Sequence, residues 1–80
     1  MQEAFWIVTY EPREKKGKPV LDDQNKPKID SITIGPFWDE IKMRDFSDKN
    51  VKLHHRFFRC QERTRDKATR AIREGKAEEL

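Results

Sequence analysis

Cysteine occurs once in these 80 residues, as Cys60, so no disulfide can form within the chain. Glycine occurs three times and never in the pattern of a phosphate-cradling loop, and no serine or cysteine sits in a nucleophile elbow. The longest unbroken apolar run is AFWIV at residues 4–8, far short of the roughly 20 residues that cross a bilayer as a helix. No membrane partner is expected. Nothing at the N-terminus has the charged, apolar, small-residue order of a signal peptide, and with a lone cysteine this points to a reducing, cytoplasmic setting.

Charge is what the chain has in abundance. Charged residues make up 41% of it and hydrophobic residues 34%, against roughly 25% charged in an average globular protein. The core must be thin, so a chain of this size needs one well-packed cluster or a second subunit, and a homodimer is one expectation. The net charge of +3 is unevenly spread. Residues 1–47 carry eight Lys or Arg against nine Asp or Glu, whereas residues 51–76 carry nine against three, a net of +6. The positive field belongs to the C-terminal part.

EAFWIVTYE, residues 3–11, is rich in aromatic and β-branched residues and is followed by Pro12, which predicts a strand. Both of its faces are largely apolar, as in a strand covered on two sides, or covered on one and used for contact on the other. Residues 12–28 hold three prolines and six basic residues and read as a long basic loop containing Lys15, Lys16 and Lys18. IDSITIG, residues 29–35, predicts a second strand, stopped by Gly35 and Pro36. The next stretch, FWDEIKMRDF, fits a helix opened by Pro36, Asp39 and Glu40, or a strand in which Ile41 and Met43 alternate with Glu40, Lys42 and Arg44; the strand is preferred.

From Ser47, a good N-cap, to Gly75, a good stop, the spacing predicts one basic amphipathic helix over residues 47–76, followed by a tail at 77–80. On that helix Leu53, Phe57, Cys60, Thr64, Ala68 and Ala71 would form the buried stripe. Lys52, Arg56, Arg59, Arg63, Lys67 and Arg70 would form a continuous cationic ridge beside it. The expected fold is therefore a single α+β domain over residues 1–80, in which a small antiparallel sheet of two to four strands packs on one long C-terminal helix.

A cationic ridge can meet successive phosphates, and the planar arginine fork donates two hydrogen bonds to each. The leading expectation is a non-catalytic module that binds DNA or RNA through that ridge, helped by Lys15, Lys16 and Lys18. The second is a small inhibitor or adaptor that docks on an acidic protein, of the size and composition of bacteriophage modulators, with Trp6, Phe58, His54 and Ile72 as its interface. No catalytic residue, metal site or cofactor is expected. His54 and His55 are sequence neighbours that diverge on a helix and cannot share a metal. The acid pairs Asp22/Asp23 and Asp39/Glu40 are likewise neighbours, with nothing placing a base beside a nucleophile.

Overall fold

In the computed structural model, which describes residues 2–80, a mixed three-layer domain is built on strand β1, Ala4–Pro12. A two-residue-strand hairpin follows, β2 at Glu14–Lys15 and β3 at Lys18–Pro19. Lys16 and Gly17, both at positive φ, make its turn, the primed geometry that suits a tight hairpin. Then come β4 (Ile29–Phe37), α1 (Glu40–Asn50), β5 (His54–Cys60), α2 (Arg65–Arg73) and β6 (Glu78–Glu79). Four strands form one antiparallel sheet in the order β4-β1-β5-β6, with β1 at its centre.

The sheet carries a helix on each face, in keeping with the apolar character of both sides of β1. On one face Ala4, Trp6 and Cys60 pack against Ala68 of α2, with Ile72 and Ala77 closing the cluster. On the other face lie Ile7 and α1, whose Met43 and Ser47 are buried. There Phe46 packs on Phe37, Arg44 lies over the Phe57 ring, and Ser47 Oγ meets His55 Nε2 at 3.2 Å. Burial pushes the Cys60 thiol up from its ordinary value, which keeps it protonated and unreactive.

The antiparallel sheet is as expected; the single long helix is not. Residues 47–76 divide into the end of α1, strand β5, and the nine-residue α2. Residues 40–46, whose alternation favours a strand, open α1 instead. The physical reason is a cap: Asp39 Oδ1 accepts from the backbone N–H of Ile41 at 2.8 Å and of Lys42 at 3.1 Å, satisfying two otherwise orphaned donors. The i,i+4 pairs Glu40–Arg44 and Asp45–Lys49 then support the helix from outside. Ser47 is thus no cap but an inward-facing residue of that helix.

The stop at Gly75 is as expected. Gly75, at φ +74, follows the α2 C-cap Glu74; its N–H bonds the Ile72 carbonyl, and the Lys76 N–H bonds the Ala71 carbonyl at 2.8 Å. This is the paired arrangement of a Schellman ending. It turns the chain back so that β6 can pair with β5, Phe58 opposite Glu79 and Arg59 opposite Glu78.

Candidate nucleic-acid interface

The predicted ridge does not exist as one surface. Arg56 and Arg59 lie on strand β5, where residues three apart face opposite ways, so they belong to different layers. Arg56 shares the α2 face of the sheet, opposite Val8, and is in an ion pair with Glu79 at 3.7 Å. Arg59 shares the α1 face and is hydrogen-bonded to Glu78, which raises its guanidinium above the ordinary value. Lys52 lies in the turn between α1 and β5, and Arg63 stands over the Trp38 ring at 5.4 Å. Only Lys67 and Arg70 remain on a helix together.

What replaces the ridge is shorter and more concentrated. Arg63 and Arg65, with Lys67, Arg70 and Arg73, put five cationic side chains into eleven residues on and just before α2, all exposed. Among the described residues none of the five is in an ion pair; the same holds for most lysines elsewhere, but the other arginines, Arg13, Arg44, Arg56 and Arg59, are all paired. Asp66 is the single acid of the stretch. The inner side of the helix is fixed by Ala68 and Ala71, both buried, and their small size lets the helix lie close on the sheet. The cations are left on its remaining surface.

Beside α2 the sheet face is open. A nine-residue helix is about 13 Å long and cannot cover strands of nine residues, so the end of the sheet beyond Trp6 is left as a cleft of about 390 Å³. Val8 and Phe58 form its floor, Ser31 and Thr33 of β4 one side, and Thr69, Ile72 and Arg73 of α2 the wall. The Thr69 hydroxyl donates to the Arg65 carbonyl at 2.8 Å and lies 2.9 Å from the Thr33 hydroxyl, tying helix to sheet. Arg56 and Glu79 close the far side. A second hollow of about 320 Å³, bounded by Tyr10, Ile29, His54 and Arg56, continues from it.

The hairpin lysines Lys15, Lys16 and Lys18 are exposed. They follow the Pro12 end of β1, while α2 packs on Ala4 at the other end, a separation of about 26 Å along the strand. Of the α2 cations, Arg73 extends toward that end, lining the same cleft as Tyr10.

The residues expected to grip a protein fare differently. Trp6 is 0% exposed and Phe58 7%, so neither is an exposed anchor; Ile72 is half-buried against the core, and only His54 is exposed. Ser47 and His55 have the spacing of a nucleophile and its base, with His55 Nδ1 at 2.9 Å from the Leu53 carbonyl. Ser47 is 1% exposed beneath α1, out of reach of any substrate. Among the described residues no three His, Cys, Asp or Glu side chains gather where a metal ion could be held, and no helix is long and apolar enough to cross a membrane.

Sequence reasoning missed Arg65 and Arg73 as site residues, and Tyr10, Ser31 and Thr33 as cleft residues. The first two were discoverable: with Ala68 and Ala71 taken as the buried side of a short helix, Arg65 and Arg73 fall on its flanks. The others are assembled only by strand pairing. No protein-family model matches the chain, and neither do the curated proteins or the solved structures compared with it.

Proposed function

We propose that this protein is a small non-catalytic nucleic-acid-binding module whose phosphate-contacting surface is α2 and its lead-in. The observation that carries the reading is the run of five exposed cations from Arg63 to Arg73, none of them in an ion pair among the described residues, in a protein whose other arginines are all paired with carboxylates. A guanidinium without a carboxylate partner is free to donate its fork to a phosphate, with release of the counterions condensed there. Arg56 and Arg59, the middle of the predicted ridge, enter this reading only where their acid partners give way.

The test is fluorescence anisotropy of labelled RNA, single-stranded DNA and duplex DNA across a salt series, with a variant carrying Arg65, Arg70 and Arg73 changed to Gln. The expected result is binding that weakens steeply with salt, with a log-log slope near −0.7 per single-strand phosphate contact or −0.9 per duplex contact. The variant should bind more weakly and with a shallower slope. Absence of binding at low salt, or a variant indistinguishable from the parent, would overturn the proposal.

A second reading has its own observation. Among the described residues the outer edge of β4 pairs with no other strand, and Ile29 and Ile32 of that strand are 54% and 58% exposed. An inhibitor or adaptor of this fold would add a partner strand there, in place of the buried Trp6 and Phe58. Pull-down with Ile32→Lys as the control separates it from the first: loss of a protein partner with nucleic-acid binding intact favours the edge.

A further inference from the structure

We infer that the cleft between α2 and the open end of the sheet takes one nucleotide of a single strand, its base stacked on Tyr10 and its phosphate held by Arg56 and Arg73. This rests on the nucleic-acid reading of α2 and adds the class of strand and the site of the base.

The cleft has the size and chemistry for it. Its volume of about 390 Å³ lies within the range of small-ligand sites, about 300–1,000 Å³. Tyr10 is a half-buried aromatic on an accessible sheet face, with the His54 ring 5.9 Å from its centroid and the Arg56 guanidinium 5.9 Å above it. Aromatic rings and arginine planes on a sheet are what unpaired bases stack on. Ser31, exposed on β4, offers a hydroxyl that both donates and accepts, suited to the edge of a base, while the buried Thr33 hydroxyl is held by Thr69. Arg73 reaches the cleft from α2 without an acid partner among the described residues, which makes the site continuous with the phosphate-binding surface.

Two features favour a strand over either a free nucleotide or a duplex. The second hollow, about 320 Å³, shares Tyr10 and Arg56 with the first, so the Tyr–Arg pair stands between two nucleotide-sized spaces, as it would between successive bases. In a duplex both faces of every base are already covered by its neighbours, and Tyr10 would have nothing to stack on.

Glu79 is the apparent obstacle, a carboxylate on the wall of an anion site. Its distance to Arg56 is 3.7 Å, and both side chains are about half exposed, at 50% and 53%. Such a pair is weak and screened by solvent. An incoming phosphate therefore competes with Glu79 for Arg56, and removing that competitor should strengthen binding.

The experiment compares an eight-nucleotide single strand, the same sequence as duplex, and a mononucleoside 5′-phosphate, at one salt concentration, for the parent and the variants Tyr10→Leu, Glu79→Gln and Asp48→Asn. Asp48, exposed on α1, gives the same change of charge on the far layer. The single strand should bind roughly tenfold or more tighter than duplex, and the mononucleotide far more weakly than the strand. Tyr10→Leu should lose roughly tenfold for the strand while leaving duplex binding unchanged. Glu79→Gln should tighten strand binding several-fold more than Asp48→Asn does. Amide shifts of Val8, Ser31 and Thr33 on adding the strand report occupancy of the cleft without reliance on any variant.

Strand binding that ignores Tyr10→Leu and Glu79→Gln, with no shift at those amides, overturns the inference and leaves the α2 surface standing. Equal or greater affinity for duplex also overturns it. No binding of any nucleic acid overturns both.

Discussion

Gly35 lies so close over the Trp6 indole that a Cβ built on it would stand 2.8 Å from Trp6 Cε3 and 3.1 Å from the Phe5 carbonyl oxygen. Its φ of +147 is also one that side-chain-bearing residues rarely adopt. Here β4 departs from strict pairing with β1, the register shifting between Phe5 and Ile7. A glycine is what lets the edge strand cross the largest side chain of the core. Gly35→Ala should therefore destabilise by about 2 kcal/mol or more, from backbone strain and overpacking together. Urea unfolding followed by tryptophan fluorescence would measure it, and an unchanged midpoint would show that Trp6 can move aside.

The α1 layer depends on one side chain more than any other. Met43 is 0% exposed, the one fully buried apolar residue on that helix. Met43→Ala should cost about 2–5 kcal/mol, lowering the melting temperature by about 10 °C or more in a domain of this size. Ile41→Ala, two positions away at 79% exposure, should change stability by no more than about 0.5 kcal/mol. Equal effects of the two substitutions in thermal melts would contradict the packing of α1 described above.

Asp30 supplies a pH dependence. Hydrogen bonds from the Arg13 guanidinium, the shorter from Nη2 at 2.6 Å, hold the Asp30 carboxyl below its ordinary value. A carboxylate whose folded value is lowered adds stability that is complete above its unfolded value, about 3.9, and is lost as pH falls through the folded one. Both groups are about half exposed, so the effect is small and shrinks with salt. Asp30→Asn should melt slightly below the parent at pH 7, and the gap should close below about pH 4. A gap that stays constant down to pH 2 would show that Asp30 acts through something other than its charge.

The parts of this fold that could be read from sequence are those with a local signal. Strand β1 announces itself by aromatic and β-branched residues, β4 by Ile29, Ile32, Thr33 and Ile34, and the end of α2 by Gly75; the Gly35–Pro36 pair expected to stop β4 instead lies inside it, and the strand runs on to Phe37 opposite Phe5. Strand β5 has no such signal. Phe57 and Phe58 are neighbours that face opposite layers, one beneath Arg44 of α1 and the other at the floor of the cleft, so the alternation that marks a half-buried strand is missing. Leu53, Phe57 and Cys60 meanwhile fall at i, i+4 and i+7 and imitate a helix.

The same misread period produced the arginine ridge. On a helix Arg56 and Arg59 would be neighbours; on β5 they are separated by the thickness of the sheet. Lys67 and Arg70 kept their helical relation because their segment is helical. The cleft was hidden for a different reason. Tyr10, Ser31 and Arg56 stand together because β1 pairs Tyr10 with Ser31 on one side and Val8 with Arg56 on the other, and no short-range pattern encodes a juxtaposition across more than twenty residues.

The placement of β1 at the centre of the sheet also bears on how the chain acquires its shape. Strand β1 is the one both other long strands must pair with, and Ala4 finds its partner on β5 only at Cys60. Until β5 and α2 are in place, the most apolar segment has one neighbouring strand at most and no helix on the α2 side. Such a topology closes large loops before its contacts reward it, which places folding toward the slow end for a chain of this length. While β5 is unpaired, β1 presents an open apolar edge of the kind that favours association between chains, and a high density of charge along a chain opposes such association.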